Sequence, residues 1–152
     1  MQTTLYPRSQ IDIFIQVLQQ DGGLLQTCIN GTTLALINAG IPMLDYVCAV
    51  SGGVHSTSPM LDLTQLEEND IPHTTVAVLP RTNKVTLLTM ETRLHVDRFE
   101  EIFRLACEAG VVLHAEMQAA TQSKTRSIST AMKAIARAAG DSVDRDGDER
   151  ME

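Results

Sequence analysis

The chain has 152 residues, 43% of them apolar, and a formal net charge of −7. That is enough sequence for one domain with a substantial core, and too apolar for a disordered chain. No apolar run reaches the ~20 residues a membrane-spanning helix needs, no charged-then-apolar signal pattern opens the chain, and an acidic chain without a basic stripe is a poor independent nucleic-acid binder.

Residues 1–8 read as a lead-in loop. Ile11–Leu18 is β-branched and apolar with weak alternation, which predicts a strand buried on at least one face. Asp21-Gly22-Gly23 turns into a predicted helix from Gly23 to Ala39. Leu25, Ile29 and Leu36 recur there at helical spacing, and the opposite side is only weakly polar. The helix is therefore expected to be central and covered on most sides. Gly40 and Pro42 stop it. Tyr46–Ser51 is a second buried strand, punctuated by Gly52-Gly53 and Ser56–Pro59, and Met60–Leu63 is short and extended. Thr74–Leu79 and Val85–Met90 are strands joined as a hairpin. From Asp97 the period becomes 3.6, with Phe99, Ile102, Phe103, Ala106, Ala109, Val112 and Leu113 on one stripe. The helix continues, with a break near Thr121–Ser127, to a stop at Gly140. Residues 140–152 hold six acids against Arg145 and Arg150, net −4, and are expected to form a disordered acidic tail. The pattern is α+β over residues 1–139, with a mixed sheet, a buried central helix and a long C-terminal helix. The first strand begins so close to Met1 that its sheet has few candidate strands on that side.

Three regions carry residues with chemical potential. A glycine pair ahead of a helix leaves bare N–H groups that bind anions, so Gly22 and Gly23 are a candidate anion cradle. A tight strand-to-helix turn explains the same residues more plainly, and no GxxxxGK[ST] is present. Asp62, with Glu68 as companion, is a candidate general acid or metal ligand. The plainer reading is a solvated acid at a strand end, with Glu67, Glu68 and Asp70 in a polar loop. Clustered carboxylates hold Mg²⁺ only if they converge in space. Arg8 and Arg93 are candidate phosphate contacts, and lone surface arginines otherwise. His55, His73, His95 and His114 are scattered, and His114 reads as a packing residue. Cys28, Cys48 and Cys107 sit in apolar neighbourhoods and read as buried free thiols. No CxxC or HxxxH pair exists, so no metal site is expected.

Taken together, Pro7–Ile13 through Asp21-Gly22-Gly23, then Ala39-Gly40-Ile41-Pro42-Met43, then Leu61-Asp62-Leu63 with Glu67-Glu68, resemble the ribonuclease PH family. The resemblance runs from about residue 6 to about residue 130 and lies nearest to eukaryotic exosome ring subunits. It implies a ribonuclease PH-like fold from which the family's N-terminal strands are missing. Active members of that family degrade RNA from the 3′ end with inorganic phosphate. The resemblance places their phosphate-binding arginine at Leu25, their catalytic Asp at Asp62 and their second acid at Glu68. A bidentate arginine contact supplies a few kcal/mol toward holding a phosphate, and leucine supplies none. Each ~1.4 kcal/mol is tenfold in rate. The resemblance thus implies a non-catalytic ring subunit without cofactor. Its implied partners are other ribonuclease PH-like chains in a six-membered ring, RNA-binding cap subunits, RNA and a separate hydrolytic nuclease, with no membrane. Its implied roles are RNA processing and turnover, including ribosomal RNA maturation, in nucleus, nucleolus and cytoplasm. The alternative is a working phosphate-dependent 3′-to-5′ exoribonuclease, with Asp62 as proton donor or Mg²⁺ ligand.

Overall fold

The computed structural model describes residues 3–90 and 92–148. The chain divides after Met117 into two compact units, the second opening at Gln118. In the first unit a 3-10 turn over Thr3–Leu5 leads into extended chain. There follow α1 (Leu24–Asn38), β1 (Cys48–His55), β2 (Ser58–Leu61), α2 (Gln65–Asp70), β3 (His73–Leu79), β4 (Lys84–Met90) and the start of α3 (Val96–Asp148). The strand order is β2-β1-β3-β4, and every pairing is antiparallel. The α+β class agrees with the sequence, but the sheet is not mixed. Both hairpins dictate antiparallel pairing, and the β2–α2 excursion returns β3 to β1 running the opposite way.

The core lies between the sheet and the first turns of α3. Cys48, Val76, Val78, Ala106 and Met117 are buried together, with Leu34, Tyr46, Phe103 and Leu113 packed around them. Ile102, Ala106, Gly110 and Met117 repeat at helical spacing and all are buried. Two glycines let α3 approach. A Cβ at Gly52 would meet Ile102 at 2.8 Å, and one at Gly110 would meet Val78 at 2.6 Å. Gly52-Gly53 therefore lie inside β1 and do not end it, because small residues serve where another element comes close. Gly53 points the other way, toward Leu63, which is 2% exposed. His114 packs edge-on against Tyr46 at 4.8 Å.

A row of side chains on α1 completes β1. Pairing to β3 leaves Val47, Ala49 and Ser51 presenting backbone groups to the other side, and β2 reaches only Gly52–His55. Gln26 Oε1 accepts from the Ser51 N–H. Asn30 accepts from the Ala49 N–H and donates to its carbonyl, both at 2.8 Å. Thr33 Oγ1 donates to the Val47 carbonyl at 3.0 Å, a bond it shares with Ile29 O at 3.1 Å. Buried backbone groups must find partners, and here a helix supplies them.

Several expectations fail for identifiable reasons. Ile11–Leu18 is extended and exposed, with Phe14 92% and Leu18 94% accessible. A strand forms only against a partner, and among the described residues no strand pairs with it. The outer side of α1 (Leu25, Thr27, Gly31, Ala35) is exposed, so the helix is covered on one side only. A groove of about 550 Å³ separates that side from residues 13–19. Val112 is 66% exposed, because six residues from Ala106 is well off the buried stripe. Glu67, Glu68 and Asp70 stand on α2, not in a loop.

In the second unit α3 is unbroken across Thr121–Ser127. The hydroxyls of Thr125 and Ser127 donate to the carbonyls of Thr121 and Lys124, so these residues' pull on the backbone is absorbed within the helix. The helix also continues through Gly140 to Asp148. One glycine costs about 1 kcal/mol relative to alanine, and the alanine-rich run before it propagates the helix. The last part of the expected acidic tail, residues 149–152, lies outside the described residues.

Burial, with the Asp45 charge adding, pushes the Cys48 thiol up from 9.0 to about 11. The folded chain holds this proton more tightly than the unfolded one. Stability is therefore unaffected below pH 9.0 and falls as pH rises from there toward about 11. A thiol-reactive dye at neutral pH should leave Cys48 unlabelled until urea unfolds the chain; labelling of the native chain would contradict this. Asn30→Ala should destabilise by about 2–4 kcal/mol in urea unfolding, because both Ala49 groups lose their partner.

Candidate functional site

The first turn of α1 collects most of the residues that the sequence singles out. Gly22 and Gly23 both have positive φ, 87° and 59°, which glycine adopts without strain. A Cβ on Gly22 would stand 2.2 Å from the Leu63 carbonyl oxygen and 2.8 Å from the Gln65 nitrogen. The turn therefore lies directly against the chain that opens α2. Gly23 is the N-cap of α1, with no side chain to cap it.

Glu68 supplies the missing cap from 45 residues away. Its Oε1 accepts from the Gly23 N–H at 2.8 Å. A carboxylate suits the positive end of a helix dipole. Its neighbour Glu67 does a different job. Glu67 accepts from the Thr64 N–H at 2.8 Å and from Thr64 Oγ1 at 2.9 Å, closing a capping box on α2. Those bonds hold the Glu67 carboxyl below its ordinary range. The stability they give is present above pH 4.5 and is lost as pH falls below it.

Asp62 joins the same turn by another route. Its φ of 58° is left-handed, a conformation Asp tolerates better than most residues. Its N–H donates to the Ser51 carbonyl at 3.0 Å. Its Oδ1 accepts from Gln26 Nε2 at 2.8 Å. Gln26 is 7% exposed, so one buried amide ties α1, β1 and Asp62 together. The carboxylate of Asp62 otherwise faces solvent. Ser51 Oγ is buried without a partner.

Beside Glu68 opens a cavity of about 450 Å³. Leu25, Cys28, Glu68, His73, Thr75 and Thr89 are among its lining residues, and no arginine or lysine is. Thr75 and Thr89 share a cross-strand row with Ser51, so three hydroxyl residues lie side by side on one face of the sheet. Leu25, 43% exposed, holds the position where the resemblance expects a phosphate-binding arginine. Gly22, Gly23, Leu25, Asp62 and Glu68 are thus brought together. Arg8 and Arg93 are exposed, and neither lines this cavity. Among the described residues no three His, Cys, Asp or Glu side chains converge as a metal site would require. Gln26, Asn30 and Thr33 were not predicted as site residues. Their signal is a polar residue at i, i+4 and i+7 along one side of the helix.

Comparison with known proteins gives the family. Residues 1–42 match domain 1 of the 3′ exoribonuclease family, and residues 45–109 match domain 2. The chain belongs to the 3′ exoribonuclease family. The exosome complex component ski6 of Schizosaccharomyces pombe is 42% identical over 126 residues, covering 83% of this chain and 52% of its own length. The exosome complex component RRP41 of Homo sapiens is 41% identical over 128 residues, covering 84% and 52%. The chain spans about half the length of these curated relatives. The crystal structure of rice (Oryza sativa) Rrp46 shares the fold, with a TM-score of 0.55 and 21% identity over 72% of this chain and 50% of that one.

Gly22→Ala should destabilise the chain by on the order of 3–5 kcal/mol, since a left-handed φ and a backbone clash act together. Glu68→Ala should cost about 1.5–3 kcal/mol, the worth of a charge-assisted bond. Glu68→Gln, which keeps an acceptor, should cost less. Urea unfolding of the three variants checks the order.

Proposed function

We propose that the chain is a non-catalytic structural subunit of an RNA exosome ring. It supports 3′-to-5′ RNA processing and degradation, ribosomal RNA maturation included. Its partners on this reading are other ribonuclease PH-like subunits of a hexameric ring, RNA-binding cap subunits, RNA and an associated hydrolytic nuclease. It works in nucleus, nucleolus and cytoplasm. Kinship with the ski6 and RRP41 exosome components supports the assembly.

One observation carries the non-catalytic reading. The N–H at the head of α1 that would greet a phosphate is bonded to Glu68, and no Lys or Arg lines the adjoining cavity. A phosphate entering there brings about two negative charges toward a third. At an effective dielectric of 20, unit charges ~4 Å apart repel by about 4 kcal/mol. Leu25 offers nothing to offset that. Asp62 could still hand on a proton, but it has no positioned phosphate to assist.

The chain assembled with its ring partners, given oligo(A), phosphate and Mg²⁺, should release no nucleoside diphosphate. Phosphate-dependent release that Asp62→Ala abolishes would overturn the reading in favour of an active phosphorolytic exoribonuclease. Capture of the tagged chain should bring down ribonuclease PH-like subunits, and their absence would remove the assembly claim. The double substitution Leu25→Arg with Glu68→Gln should raise phosphate affinity at least tenfold in calorimetry, about 1.4 kcal/mol, by adding a cation and removing a charge.

A further inference from the structure

The net charge of −7 conceals one cationic segment. Between Glu116 and Asp141 the only charged residues are Lys124, Arg126, Lys133 and Arg137, all basic. The earlier part of α3 has mixed signs, including the Arg98–Glu101 pair at 3.1 Å. No such pair forms on Arg126 or Lys133 among the described residues.

The helix brings Arg126 and Lys133 to one side, and Lys124 falls on the opposite one. At 100° per residue, Arg126 and Lys133 lie about 20° apart, and position 137 falls about 20° from the first and about 40° from the second. Gln122, Arg126, Ser129 and Lys133 line a shallow groove of about 630 Å³ whose walls hold no carboxylate and no apolar side chain. The Thr125 and Thr130 hydroxyls donate to helix carbonyls. The donors left facing outward are therefore the guanidinium, the ammonium, the Gln122 amide and the Ser129 hydroxyl. Ile128, Met132 and Ile135 keep to another side of the helix.

We propose that this face of α3 binds the phosphate backbone of single-stranded RNA without reading its sequence. Cations and neutral donors without acids are what phosphate oxygens require. Charge complementarity selects a polyanion, and membership of an exoribonuclease family selects RNA. The choice of RNA thus rests on the RNA-handling part of the proposed function, and not on whether the Asp62 site is silent.

Fluorescence anisotropy of the full chain with labelled oligo(U), from roughly 50 to 200 mM salt, tests this. Arg126→Gln with Lys133→Gln should weaken binding about tenfold at the lowest salt and reduce the log–log salt slope by about 1.4, the value for two phosphate contacts on a single strand. Arg126→Lys with Lys133→Arg should keep the slope. Arg81→Gln with Lys84→Gln removes equal charge from the β3–β4 turn and should change neither. Circular dichroism checks that the helix is retained. An unchanged slope in the first variant overturns the proposal. So does an equal loss in the β3–β4 control, or capture by phosphatidylserine vesicles without any binding of oligo(U). An unchanged slope with intact capture of ring subunits removes this surface alone. A normal slope effect with no capture removes the ring assignment alone.

Discussion

The edge of β1 at Val47–Ser51 is satisfied by a helix, and the rest of the first unit depends on that fit. A helix advances about 5.3 Å in 3.5 residues. A strand advances about 6.6 Å in two. The two steps are close enough for Gln26, Asn30 and Thr33 to meet Ser51, Ala49 and Val47 in turn. Each bond is modest in net terms, but leaving its backbone partner buried and unpaired costs about 1–3 kcal/mol. The register of α1 on β1 is thereby fixed. A shift along the helix would strand several groups at once.

Fixing α1 fixes what stands at its head. Gln26 belongs both to the edge row and to the site, since its amide nitrogen holds Asp62. Gly22 lies against the start of α2, and Glu68 reaches back from α2 to the Gly23 N–H. The chain's own carboxylate thus occupies part of the anion-binding capacity that a bare helix terminus has. That arrangement stabilises the fold and discourages an external anion with the same contact. One hydrogen bond thus both caps the helix and sets a negative charge where an anion would dock.

Elements whose signals are local are legible in the sequence. The helix expected from Gly23 to Ala39, the β3–β4 hairpin and the buried side of α3 all follow from spacing and turn residues. The grouping of Gly22, Gly23, Asp62 and Glu68 is legible only through the family resemblance, since spacing alone favours a plain turn and a solvated acid. What escapes is whatever depends on a partner distant in sequence. Ile11–Leu18 has a strand's composition and no strand beside it. Gly52 and Gly53 look like punctuation until α3 and Leu63 are seen pressing against them. The Gln26–Asn30–Thr33 row escapes as well, because nothing local in the helix tells that its polar side chains meet a strand edge.

Net charge misleads for the same reason. A total of −7 is a sum over 152 residues, whereas at physiological salt a charge is felt over about 8 Å. Eight helical residues separate Lys133 from Asp141, about 12 Å along the axis. An anion meeting Arg126 and Lys133 therefore responds mainly to those two cations and their neutral neighbours, and only weakly to the acids beyond. The acidity of the whole sets how the chain behaves far from any surface. Contact chemistry is set residue by residue: Glu68 repels anions at the head of α1, and an acid-free stretch of α3 welcomes them.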